Sequence, residues 1–176
     1  MMKAKWKAFV KEKSSPVERK FLGQRFQNRE LLIRALTRNA LLNEVPPFLE
    51  MRTLGSQTGL DTVGNTVLDF VIIDHFSKKP GKVKNARIPE GLTELRKIYG
   101  NNLALHQFAK QSMKLQKYIF WGSDEITRKV WEDPKTELLA DCFEALLGAI
   151  YLDKGMKGVM KFFKKIQFFK AIDKTR

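Results

Sequence analysis

Cysteine, histidine and acidic side chains are scarce in this 176-residue chain. The single cysteine, Cys142, excludes an internal disulfide and a four-cysteine zinc site. It lies inside an apolar run, which makes it a small buried hydrophobe rather than a nucleophile. The two histidines, His75 and His106, have no partners at metal-ligand spacing, and neither is assigned a role. No uninterrupted apolar run approaches the ~20 residues that a bilayer-spanning helix requires. The opening MMKAKWKAFVKEK lacks the apolar stretch and cleavage site of a secretory signal, while its Lys and Trp content and lack of early acids leave organellar targeting open. A soluble, intracellular protein without a membrane partner is expected, cytoplasmic in the first instance. Acids are outnumbered, 19 against 33 Lys and Arg, for a net charge of +14. That excess excludes a neutral, weakly interacting surface and points to a polyanion.

The excess is concentrated at the ends. Residues 1–20 hold seven basic and two acidic side chains, residues 154–176 eight basic and one acidic, and residues 21–153 eighteen basic and sixteen acidic. Either solvated tails or phosphate-contacting segments account for such ends. The expected organisation is a basic N-terminal extension (1–20), a central domain (21–155) and a basic amphipathic C-terminal helix (156–176).

Helical periodicity runs through the chain, and hairpin signals and repeats are absent. Apolar positions recur at helical spacing over 28–42, with Pro46 and Pro47 as the stop. Residues 60–76 read as a strongly apolar helix, although their β-branched residues leave a strand open. Residues 78–89 (KKPGKVKNARIP) form a basic connector, 90–109 and 115–120 read as helical, and 121–135 as polar and irregular. The most apolar part is 136–153, with Gly155 as its stop signal. Lys157 to Ala171 predicts a basic amphipathic helix whose Phe162, Phe163, Phe168 and Phe169 suit core packing or a dimer face better than base stacking. The fold class expected is all-α.

The informative feature is LLADCFEALLGAIYL, in which Asp141 and Glu144 are the only charges. Their i, i+3 spacing places both carboxylates on one face of a helix that is otherwise apolar nearly all round. Buried carboxylates require a basic partner, hydrogen bonds or a metal. Ion pairs to Arg34 or Arg96 would satisfy them, and so would a Mg²⁺ site completed by other oxygen donors. The second apolar helix, LDTVGNTVLDF, offers Asp61 and Asn65 on one face, with Gly64 between them allowing close helix–helix approach. Asp69 extends the row as a solvated helix-face acid.

These segments resemble the ribonuclease III family. LDTVGNTVL is similar to the family signature usually written ERLEFLGDSVL, and KTELLADCFEALLGAIYLDKG resembles its second motif almost residue for residue. FQNRELLIRALT resembles the first helix, and TELRKIYGNN with Leu105 the segment between the acidic motifs. The four blocks occur in the family's order from Phe26 to Gly155. The resemblance implies an all-helical endoribonuclease domain acting on double-stranded or structured RNA, a homodimer, and a Mg²⁺ (or Mn²⁺) ion that activates water for phosphodiester hydrolysis. It assigns Asp61, Asn65, Asp141 and Glu144 as catalytic and metal-binding residues. With 21 residues after Gly155, it also implies the single-domain type without a double-stranded-RNA-binding domain. Phosphate contacts are then expected from Lys78, Lys79, Lys82 and Lys84 (with Arg87) in the connector and from Lys161, Lys164 and Lys165 near the C-terminus.

The chain departs from the family pattern at several positions. Asn65 replaces an Asp, Thr58 a Glu, Arg38 a His, Ala40 a Ser, Thr62 an apolar or aromatic residue associated with dimer contacts, and Glu137 a small polar residue. Retained Asp61, Asp141 and Glu144 favour an enzyme, one slowed by Asn65. The altered positions favour an inactive RNA-binding or ribosome-associated protein, or an assembly partner of a catalytic relative.

Overall fold

The computed structural model describes residues 2–46, 52, 54–78 and 89–175, the side chains of 2–7, 89 and 175 apart. Its helices are α1 (Met2–Val17), α2 (Arg29–Ala35), α3 (Asn39–Glu44), α4 (Leu60–Ser77), α5 (Pro89–Tyr99), α6 (Asn102–Gln107), α7 (Ser123–Thr127), α8 (Leu138–Ile166) and α9 (Phe168–Thr175). Wider π turns follow α1 at Glu18–Leu22 and α6 at Phe108–Met113. Among the described residues the one β-like contact is an isolated parallel bridge between Thr37 and Phe120. No described helix is long and apolar enough to cross a membrane.

The architecture is organised around α8. Residues 139, 140, 142–150 and then 158, 159, 162 and 163 are buried, so its first half has no solvent-facing stripe and is wrapped by other helices. α4 lies directly against it, with Leu60, Gly64, Val67, Leu68, Val71 and Ile72 buried. Two glycines permit this approach. A Cβ at Gly64 would fall 1.7 Å from the Glu144 carbonyl oxygen, and one at Gly148 would fall 2.1 Å from that of Leu60. Side chains at either position would push the helices apart, and with them the residues that face the cleft between them.

At Gly155, φ 62° and ψ −171° break the helical path within α8, and the chain returns towards the core. This brings Phe162 and Phe168 against Phe143, Phe168 against Phe108, and Phe163 against Phe162 and Phe168. The Phe143 and Phe168 rings stack at 5.8 Å, and Phe108 meets Phe168 edge-on at 5.1 Å. Each fully buried Phe side chain contributes roughly 2–3 kcal/mol of transfer free energy. The C-terminal aromatics therefore pack in the same core as the acidic helix.

Several helices expected as single units are interrupted. The 28–42 segment splits because the backbone at 36–38 pairs sideways: Phe120 N–H donates to the Leu36 carbonyl at 2.7 Å, and Arg38 N–H to that of Phe120 at 3.1 Å. The 90–109 segment breaks at Gly100, and Asn101 starts α6 by accepting from the Ala104 N–H at 2.8 Å. Gln167, at φ 51°, divides the C-terminal amphipathic stretch into the end of α8 and α9. For 60–76, where a strand was open, the chain is helical throughout. The irregular 121–135 region holds α7 and two short 3₁₀ turns, and its Trp121 is buried.

Candidate active site

Asp61 stands in the first turn of α4 and Asn65 one turn later, while Asp141 stands in the first turn of α8 and Glu144 one turn later. Because α4 and α8 touch at Gly64 and Glu144, both pairs line one surface cleft of about 290 Å³. Thr62 and Thr66 complete its lining. The four residues selected from sequence are thus brought together by the helix pair, and Thr66 is the lining residue that sequence reasoning missed. Its signal was present, since it lies four positions after Thr62 on the same helical face.

Electrostatically the cleft is strained in one direction. Glu144 is only 6% exposed. Burial, reinforced by the charges of Asp141, Asp61 and Asp69, pushes its carboxyl up to about 7, against a smaller opposing pull from the Asn65 hydrogen bond. Asp141 is raised too, chiefly by burial; Arg38 pulls it back, and Asp61 and Glu137 add to the rise. Neither carboxylate forms an ion pair among the described residues. Arg96 pairs instead with Asp69 at 3.2 Å, and the buried Arg34 Nε has no hydrogen-bond partner among them. The salt-bridge alternative for Asp141 and Glu144 through those two arginines is therefore not what the fold builds.

Arg38 is the basic residue that does influence the cleft. Its Nε donates to Glu125 Oε1 at 3.1 Å, its guanidinium lies 6.0 Å from the Trp121 ring centroid, and its charge favours ionised Asp141. The sequence showed Arg38 as a departure from a family pattern, without a signal that the break after α2 turns it towards α8.

The donors are hard oxygens, the set that suits Mg²⁺ or Mn²⁺. The accumulated charge that lifts Glu144 is relieved by a cation, so the residues fit such an ion in kind. As the side chains lie, no three His, Cys, Asp or Glu groups among the described residues stand close enough to hold one. Three hydrogen bonds hold the side chains in this arrangement. Asp61 Oδ1 accepts from the N–H groups of Gly59 (3.0 Å) and Thr62 (2.7 Å) at the start of α4, and Asn65 Nδ2 donates to Glu144 Oε1 at 3.1 Å. Thr58 does not line the cleft; its hydroxyl meets Ser56 Oγ at 2.9 Å and Asn39 Nδ2 at 3.2 Å.

The sequence pattern of the family described as Ribonuclease-III-like matches residues 28–170. The chain belongs to the ribonuclease-III-like family. Ribonuclease 3 of Listeria innocua is 31% identical over 148 residues, covering 84% of this chain and 59% of that protein. Ribonuclease 3 of Chloroflexus aggregans is 34% identical over 142 residues, covering 80% and 58%. The chain thus spans less than three fifths of the length of these ribonuclease III relatives. Among solved structures, the nuclease domain of Campylobacter jejuni ribonuclease III superposes with a TM-score of 0.63 at 26% identity, over 92% of this chain and 94% of that one. A second structure of the same domain, concerned with flexibility in the region of its dimer formation, gives a TM-score of 0.62 at 23% identity over 94% of this chain and 95% of that one, and supports the fold. The all-helical ribonuclease III-type fold expected from sequence is the fold observed.

The lysines expected to contact phosphate are distributed differently. Lys161 and Lys164 are exposed on α8, as is Lys165, whose Nζ donates to the Arg19 carbonyl at 3.1 Å. Lys78 pairs with Asp74 one turn back, at 2.7 Å. Lys79, Lys82, Lys84 and Arg87 lie outside the described residues. Cys142 is fully buried, its Sγ donating to Gln57 Oε1 at 3.4 Å, and burial pushes the thiol up to about 12.

Proposed function

We propose that this chain is an endoribonuclease domain that hydrolyses phosphodiester bonds of double-stranded or structured RNA with a divalent metal ion. The observation that carries the reading is the convergence of Asp61, Asp141, Glu144 and the Asn65 amide on one cleft whose carboxylates form no ion pair among the described residues. Asp61, Asp141, Glu144 and the Asn65 carbonyl would hold the ion; when bound, it would supply an activated water and charge stabilisation on the leaving oxygen. Glu144, deepest and held closest to neutrality, responds most to an approaching cation, which favours its ionised form. Asp61 is held through Oδ1 by the N–H groups of Gly59 and Thr62, which leaves Oδ2 as its oxygen for a cation. Thr62 and Thr66 offer hydroxyls at the rim. The outer face of α4 carries exposed Phe70 and Ile73 near the cleft, an apolar strip that suits a homodimer.

One contact favours a second reading, a non-cleaving RNA-binding or ribosome-associated protein. The Asn65–Glu144 hydrogen bond gives Glu144 an internal donor where an Asp would offer only another negative charge. Incubation of the purified chain with long duplex RNA and Mg²⁺ or Mn²⁺ separates the two. Metal-dependent cleavage lost in Glu144→Gln supports the nuclease; absence of cleavage by both the natural chain and Asn65→Asp refutes it.

A further inference from the structure

The two basic ends, separate in sequence, form one surface in the fold. Lys165 Nζ donates to the Arg19 carbonyl across 146 positions, and Gly23 (φ 70°) leaves space for the same ammonium, since a Cβ there would lie 2.9 Å from it. On one side of this junction, a cavity of about 460 Å³ is lined by Lys20, Lys165, Lys170 and Lys174, with no carboxylate. On the other, a cavity of about 520 Å³ is lined by Lys11, Arg19, Arg25 and Arg29. Its one acid, Glu18, is buried, accepts from the Phe26 N–H at 2.9 Å, and lies 3.7 Å from Arg29. The nearby Asp173 accepts from the Tyr99 hydroxyl. Apart from Arg29, none of these eight cations forms an ion pair among the described residues. Neither cavity shares a lining residue with the acidic cleft.

We propose that this groove is a phosphate-backbone site for structured RNA, distinct from the acidic cleft. Two adjoining concavities with guanidinium and ammonium donors suit successive phosphodiesters along a ribbon-like polyanion. A-form RNA is recognised largely through its backbone and shape, so base-reading groups are not required. A lipid surface would need exposed apolar side chains to insert, whereas Phe21 and Met113 in the lining are buried. The acidic cleft repels a polyanion until a cation is bound, whereas the groove attracts one. The choice of RNA as ligand rests on the functional reading above, but the site does not depend on cleavage.

The test uses the full chain in EDTA, a labelled RNA duplex, and Lys20, Lys170 and Lys174 all changed to Gln. Lys165 is retained because its ammonium also satisfies the Arg19 carbonyl. At about 100 mM salt the triple variant should bind about tenfold more weakly or worse, and its log Kd against log salt should flatten by about 2–3. The matching triple Lys→Arg variant should keep natural affinity, which separates charge from folding. Unchanged affinity and salt slope in the Gln variant overturns the proposal. So does groove-dependent binding to phosphatidylserine vesicles without groove-dependent binding to RNA, which assigns the groove to a membrane. A parallel reaction with Mg²⁺ or Mn²⁺ reads cleavage by the natural chain and by Asn65→Asp: groove-dependent binding with cleavage by neither supports the groove and refutes the nuclease reading alone.

Discussion

Removing the charge of Glu144 should stabilise the metal-free protein. The carboxyl is pushed up to about 7 from an ordinary value near 4.5, first by burial and then by neighbouring acids. One pH unit of such displacement is worth about 1.4 kcal/mol, so ionised Glu144 costs the folded state on the order of 2–3 kcal/mol after allowance for water at the cleft mouth. A raised acid favours the proton in the folded state. Its favourable contribution is therefore complete below about pH 4.5 and lost as pH rises through about 7. Glu144→Gln removes that loss while keeping an oxygen to accept from Asn65. Guanidinium unfolding in EDTA should find the variant more stable by about 2–3 kcal/mol at pH 8, which corresponds to a rise of roughly 5–10 °C in Tm for a domain of this size. The gap should close near pH 4, where both side chains are neutral. A variant no more stable at pH 8, or a gap that persists in acid, refutes the account of the cleft as a site of uncompensated negative charge.

Asn65→Asp removes the donor to Glu144 and adds a fourth carboxylate, so in EDTA at pH 8 it should lose about 1–3 kcal/mol of stability. It should also gain more in Tm than the natural chain on addition of Mg²⁺ or Mn²⁺, and an equal or smaller gain would remove Asn65 from the metal-binding set. Gly64→Ala places a methyl group 1.7 Å from the Glu144 carbonyl oxygen and should cost more than about 3 kcal/mol in urea unfolding; a near-neutral result would show that the helices separate freely. Cys142 should stay unreactive towards a thiol reagent at pH 8 until the protein unfolds, given its full burial and a thiol pushed up to about 12. Rapid labelling of the native protein would contradict that burial.

Much of the site was legible in sequence because helical spacing is local. The i, i+3 pair Asp141 and Glu144 and the i, i+4 pair Asp61 and Asn65 each share a face whatever the helix packs against, and Gly64 marked a close approach that the structure contains. Four motif blocks in order were enough for the all-helical family fold. The break at 36–38 was not legible, because it arises from long-range backbone pairing, whereas those at Gly100–Asn101 and Gln167 rest on local backbone and cap geometry. The bridge from residues 36–38 to Phe120 splits the first apolar segment and turns Arg38 towards Asp141.

The sequence by itself determined which residues carry charge, which faces are apolar, and that acids are confined to a few positions in an otherwise apolar pair of helices. Those properties follow from residue identity and the 3.6-residue period. Tertiary structure alone decided which of these groups meet. It set Asn65 against Glu144, left Asp141 and Glu144 without an ion pair among the described residues, and drew the C-terminal aromatics into the central core. It also joined the two basic ends, for neither terminus encodes the other's position; the return of the chain at Gly155 and the packing of Phe162 and Phe168 carry Lys165 to Arg19.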